Sequence, residues 1–314
     1  MQRKAAITLI ITILLIILIG AAATTNFSPS TPTSKTSKLK VLATFYPLYD
    51  FAQNVGGNRI EASLLVPETL DVHDFEPTPS SIQLVADADV LIYNGAGLET
   101  WISEIINAAG NSKLVLVDSS QGIELLPVSP QFQRNNETVD PHIWLSPILA
   151  KQQVDTILQG LIQAHPADSQ YFTQNALGYK AKLDDLNSEA LNATTNVATR
   201  FFVTFHEAFG YFAQEYNLTQ IPIAGPFQEE PTPSDIQNVI YAIEQYHLLY
   251  VGYESLENPA ISQSISSQTN AKLIRMNPIE GLTARDKAAG KDYISLMKEN
   301  ITNIGSALSH VGTS

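Results

Sequence analysis

Short apolar runs alternate with stretches of helical spacing twice along this chain, and a purely helical segment separates the two sets. In the first set, Lys40 to Leu48, Ile60 to Val66, Val90 to Asn94 and Leu114 to Val117 read as buried strands. Helical patterns lie between them at Tyr49–Val55, Pro79–Ala86 and Glu99–Ala109. The second set has strands at Phe201 to Phe205, Leu218 to Ala224, Leu248 to Tyr253 and Lys272 to Met276. Strand–helix alternation with little internal polar alternation predicts parallel sheets covered by helices, hence the α/β class with two (β/α) lobes. Between the lobes, Val154, Ile157, Leu158, Leu161 and Ile162 follow one helical face. His165-Pro166 breaks the pattern, and Tyr171, Phe172, Ala176, Tyr179, Leu183 and Leu186 continue it as a long strut. The expected division is a leader and linker at 1–38, a first lobe at 39–146, a helical connection at 147–197 and a second lobe at 198–314.

The amino-terminal pattern differs. Arg3 and Lys4 precede an apolar run from Ile7 to Ala23, and Thr24 to Lys38 is rich in Ser, Thr, Pro and Lys. Positive charge ahead of one apolar run predicts an exported remainder. The run suits either a cleaved signal or a retained membrane anchor, and the stretch after it reads as a flexible spacer. Either way the folded part is expected outside the cytoplasm. Four sequons, at Asn136, Asn192, Asn217 and Asn300, permit glycosylation there.

Composition narrows the function classes. The 314 residues carry a formal net charge of -13, which argues against nucleic-acid binding. There is no cysteine, so disulfides, thiolate zinc sites and lipid attachment at a cysteine are excluded. One repeat is visible: Glu76-Pro77-Thr78-Pro79-Ser80 recurs as Glu230-Pro231-Thr232-Pro233-Ser234. In both copies Thr-Pro is a helix start, with Thr as cap and Pro in the first turn, which suggests two lobes of one plan facing a cleft.

Three of the six histidines fall in predicted strand-to-helix loops. His73 follows the strand ending at Val66. His142 is held between Pro141 and Pro147, beside Trp144. His206 ends the strand beginning at Phe201. Glu280 occupies the turn after the last strand. In open parallel sheets, ligands bind beyond the carboxyl ends of the strands. Three imidazoles and one carboxylate make a closed tetrahedral set for a borderline-soft cation such as Zn²⁺. The competing reading is four separate residues, each satisfied in a buried turn or solvated. His165, His247 and His310 read as structural or exposed. A zinc hydrolase would need His-Glu-x-x-His; His206-Glu207 begins it, but Gly210 stands where the second histidine belongs, leaving Glu207 as the only candidate base.

The chain resembles the metal-binding proteins of ABC importers for zinc and manganese, the cluster A-I or cluster 9 solute-binding proteins. The resemblance runs from about Leu39 to Ser309. It is carried by Thr44-Phe45-Tyr46-Pro47-Leu48, His73-Asp74-Phe75-Glu76-Pro77, Asp140-Pro141-His142-Ile143-Trp144-Leu145-Ser146-Pro147, His206-Glu207-Ala208-Phe209-Gly210-Tyr211 and Asn277-Pro278-Ile279-Glu280-Gly281-Leu282-Thr283. It implies two lobes joined by a long linker helix, with metal between them on His73, His142, His206 and Glu280. It also implies transfer of the metal to a membrane permease and its ATPase, with no catalysis and a monomeric carrier. Manganese-type members resemble this chain but carry a carboxylate where His206 stands, so zinc is the expected cargo and manganese the alternative. A surface adhesin on the same fold and an exported zinc hydrolase are the rival functions. Two departures stand out: the segment from Gly122 to Val139 has no histidine, and Val72 replaces a frequent proline.

Overall fold

The first lobe is built on a four-stranded sheet ordered β2-β1-β3-β4, with strands Leu39–Ala43 (β1), Ile60–Leu64 (β2), Val90–Tyr93 (β3) and Val115–Asp118 (β4). All its pairings are parallel, in a register that sets Val41 against Ala62 and Val90. The structure is a computed structural model that describes residues 38–133, 138–227 and 230–312. The expected signal or anchor therefore lies outside the described residues, as does Asn136 of the first sequon. Among the described residues, no helix is long and apolar enough to cross a membrane.

Helices α1 (Tyr46–Gly56), α2 (Pro79–Asp87) and α3 (Ile102–Ala109) connect these strands. The apolar run from Lys40 was expected to stay a strand through Leu48, but β1 stops at Ala43 and α1 opens at Tyr46. Extended Phe45 takes the cap position and Pro47 sits in the first turn, where its missing N–H has no partner to lose. Strand and helix are both buried here, so apolar continuity hid the boundary.

Two helices follow, α4 (Pro147–Ala164) and α5 (Ser169–Thr194). Ser146 caps α4, accepting from Leu149 N at 3.3 Å. The strut α5 runs 26 residues, about 39 Å at the ordinary rise of 1.5 Å per residue. It buries Phe172, Ala176, Tyr179, Leu183, Leu186, Ala190 and Thr194, a stripe spaced by threes and fours. This stripe packs on α1 and α4 from the first lobe's side, and on the last helix of the chain, α10 (Tyr293–Leu308).

In the second lobe, Phe201–His206 (β5) pairs in parallel with Thr219–Ala224 (β6), and Tyr250–Tyr253 (β7) with Lys272–Arg275 (β8). These are two separate two-stranded sheets, with β5 and β7 lying against each other. Helices α6 (Gly210–Glu215), α7 (Pro233–Gln245), α8 (Ala260–Thr269) and α9 (Ala284–Ala288) complete the lobe. The helix after β5 opens at Gly210, four residues past His206. The sequence repeat is explained by cap chemistry: Thr78 accepts from Ser81 N and Thr232 from Asp235 N, each closing a reciprocal capping box.

The main core does not stop at the lobe boundary. It runs from Val41, Leu91 and Trp144, through Phe172 and Leu186, to Phe209, Phe212, Met297 and Ile304, while a smaller cluster around Val203, Ile223 and Val251 serves the second lobe alone. Buried Asp50 pins the same junction. It accepts from Tyr179 Oη at 2.7 Å and Tyr293 N at 3.4 Å, joining α1, α5 and α10. A shared apolar core and a buried polar joint favour small rearrangements over a wide hinge.

Candidate metal centre

The four candidate residues lie at the carboxyl end of a strand or in the segment that follows one. His73 lies on a single 3-10 turn, Val72–Asp74, after β2. His142 precedes a second such turn, Ile143–Leu145, that leads into α4. His206 is the last residue of β5, and Glu280 is in the loop after β8. The structure brings all four together, with one donor atom from each within 4.8 Å of all the others. His142, His206 and Glu280 are buried, and His73 keeps slight exposure beside the ring of Phe227, at 5.9 Å between centroids.

The converging atoms are the Nε2 nitrogens and Glu280 Oε1. Nε2 of His142 and His206 are 3.1 Å apart. Glu280 Oε1 lies 3.3 Å from His73, 3.2 Å from His142 and 3.6 Å from His206. Bonds of 2.0–2.1 Å in a tetrahedron put neighbouring donors about 3.3–3.4 Å apart. These four edges bracket that value, and all six lie within 4.8 Å.

Outer carboxylates aim the ring nitrogens. Asp140 Oδ1 lies 2.7 Å from Nδ1 of His142 and accepts from its backbone N at 2.9 Å. Glu254 Oε1 lies 2.8 Å from Nδ1 of His206 and accepts from its backbone N at 3.2 Å. A carboxylate on Nδ1 keeps the proton there and leaves the Nε2 lone pair for a cation. Asp71 accepts from His73 N at 2.8 Å and hydrogen-bonds Glu280 with its carboxyl. Burial, with Glu280 beside it, pushes Asp71 up to about 9.

Electrostatics follow the same map. Burial holds His73 below the usual imidazole range. Burial also opposes charge on His142 and His206, but Asp140 and Glu280 raise the first, and Glu254 with Glu280 raises the second well above its ordinary value. Glu280 stays far below the usual carboxylate range despite burial, because three imidazoles face it. Protons and a divalent cation therefore compete for the same lone pairs.

The loops are locked across the lobes. Trp144 Nε1 donates to Pro278 O at 2.7 Å, and Tyr293 Oη donates to Trp144 O. Leu282 N donates to Glu68 O at 2.8 Å, and Gly281 is required beneath it, since a Cβ there would stand 2.2 Å from that oxygen.

His165 pairs with Asp168 at 3.1 Å, and neither it, His247 nor His310 joins the cluster. Glu207, the one candidate base, accepts from Ser129. Sequence reading missed three outer carboxylates. Two carried a signal: Asp71-Val72-His73 and Asp140-Pro141-His142 share an Asp-x-His spacing, and in both the aspartate accepts the histidine's backbone N–H. Glu254 carried none, lying 48 positions from His206.

The sequence pattern of a family described as zinc-uptake complex component A, periplasmic, matches residues 41–307. The chain is 31% identical over 300 residues to the high-affinity zinc uptake system protein ZnuA of Bacillus subtilis (strain 168), covering 93% of this chain and 94% of that protein. It is 30% identical over 285 residues to zinc-binding protein AdcA of Streptococcus pyogenes, spanning 85% of this chain but only 55% of AdcA. The Zn(II)-bound ZnuA-like domain of Streptococcus pneumoniae AdcA superposes with a TM-score of 0.76 at 28% identity, covering 87% of this chain and all of that domain.

Proposed function

The chain belongs to this periplasmic zinc-uptake component family, and from that premise we propose that it is an extracytoplasmic carrier. It holds one Zn²⁺ on His73, His142, His206 and Glu280 and delivers it to an ABC permease and its ATPase. The division into lobes at 39–146 and 198–314, with a connection at 147–197, belongs to the same reading, as does a tether through residues 1–38 if that segment is retained. The observation that carries the proposal is the convergence of three imidazoles and a carboxylate within 4.8 Å, with the three edges to Glu280 and the His142–His206 edge at 3.1–3.6 Å. That donor set favours zinc over manganese, which prefers oxygen. Four protein donors fill a tetrahedral shell and leave no position for water or substrate, which supports transport rather than hydrolysis.

Zinc–manganese competition on the purified metal-free chain, with bound metal quantified, tests the proposal. The expected result is one zinc per chain, retained against excess manganese and lost in His73→Ala and His206→Ala. Manganese preference would overturn the donor-softness argument, and absence of stoichiometric metal would overturn the site.

A further inference from the structure

We infer that Gly210 and Tyr211, at the start of a second-lobe helix, form a clamp on the first-lobe residue Asp140 and through it position the imidazole of His142. The inference rests on the zinc-carrier reading and adds to it a device that ties lobe closure to ligand geometry. Asp140 is buried and held on every side. Its backbone N donates to Leu126 O at 2.8 Å. Its carbonyl accepts from Tyr211 Oη at 2.7 Å, while the same hydroxyl accepts from Leu126 N at 3.0 Å. Its Oδ1 carries both polar contacts to His142. The remaining oxygen, Oδ2, lies against Gly210, where a Cβ would stand only 2.5 Å away.

Gly210 has no positive φ, so its backbone accepts any residue. What excludes a side chain is the aspartate. Asp140 Oδ2 is the free end of a side chain, but the other end is pinned by His142, so an added methyl must rotate the carboxylate away from Nδ1. Tyr211 grips the same loop from its backbone. Both clamp residues come from α6, so a movement of α6 away from the first lobe releases the carbonyl and Oδ2 together. His142 then loses its fixed aim, and the first-lobe half of the site loosens as the lobes part. Outer partners of metal-bound histidines are worth roughly 10–100-fold in metal affinity, which sets the size of the effect.

The test uses the full chain, zinc affinity by chelator competition, and the visible spectrum of bound Co²⁺ as a report on ligand geometry. Gly210→Ala is expected to weaken zinc about tenfold, the lower end of the outer-partner range, and to shift the Co²⁺ bands. In an Asp140→Ala background, which removes the oxygen that the methyl strikes, Gly210→Ala should add nothing. Gly178→Ala, at a helical position with nothing within 4 Å, is the control and should bind as wild type. A purely structural Gly210 would lower stability equally in both backgrounds and leave the Co²⁺ bands in place, and that result would overturn the inference. So would wild-type affinity in Gly210→Ala. Should Gly210→Ala not fold, Tyr211→Phe carries the test: it should lose affinity several-fold, and unchanged affinity would sink the clamp. A wild-type chain that takes up neither zinc nor cobalt would instead refute the carrier reading itself.

Discussion

Glu254→Gln isolates the charge of one outer carboxylate. Glu254 Oε1 receives both Nδ1 of His206 and its backbone N–H, and the group is buried. Glutamine keeps an oxygen for these donors, so the ring keeps its tautomer and place, but the bond is no longer charge-assisted. Hydrogen bonds to charged groups contribute about 1.5–3 kcal/mol against about 0.5–1.5 for neutral ones. The difference of about 1.4 kcal/mol is a tenfold loss in affinity. Glu254→Ala goes further, because it leaves the buried Nδ1–H and backbone N–H without their acceptor, and the loss should approach 100-fold, the upper end for such partners. Competition against a chromophoric zinc chelator at fixed pH and ionic strength measures both. The expected order is wild type, then Gln, then Ala, each step about tenfold. If both variants hold zinc as tightly as wild type, the assignment of Glu254 as the residue that aims His206 is wrong. If Gln falls as far as Ala, the charge carries the whole effect and a neutral acceptor adds nothing.

Two further outcomes test the frame around the site. Glu99 is buried and accepts from Thr44 Oγ1, Asn94 N and Gly95 N, and burial raises its carboxyl from the ordinary 4.5 to about 7. Below pH ~4.5 both folded and unfolded states hold the proton; as pH rises toward 7 the unfolded state releases it first, so metal-free stability should fall by about 3 kcal/mol across that window. Chemical denaturation in chelator at several pH values should show this slope, and Glu99→Gln should flatten it; an identical slope in the variant would remove Glu99 as its source. Gly252 lies where a Cβ would meet Val203 O at 2.5 Å and Thr204 Cα at 2.9 Å, both backbone atoms that cannot swing aside. Gly252→Ala should therefore cost about 3 kcal/mol, a drop of roughly 6 °C or more in thermal midpoint, and a midpoint equal to wild type would contradict the packing of β7 on β5.

Much of this architecture was legible because its causes are local. Thr-Pro and Ser-Pro helix starts announce themselves within four residues, and the stripe of the strut helix needs only one helix to define it. The four ligands were likewise readable, since each ends or follows a strand and the sheets are parallel. Where local signals were silent, reading failed. Apolar continuity from Val41 to Leu48 hid the change from strand to helix, because both elements are buried. Glu254 looked like any acidic residue in a loop, since its role depends on β7 lying beside β5.

The sequence by itself determined the α/β alternation, the strut, the helix caps and the chemistry of the donor set, because each is encoded in residues adjacent along the chain. Only the tertiary structure decided that the four donors meet at one point, with the edges to Glu280 near those of a tetrahedron. It also decided that Trp144 reaches Pro278 across 134 positions, and that Gly210 must stay bare to leave room for Asp140. Those facts depend on distances between segments remote in sequence, and packing of the shared core sets such distances, which no periodicity records.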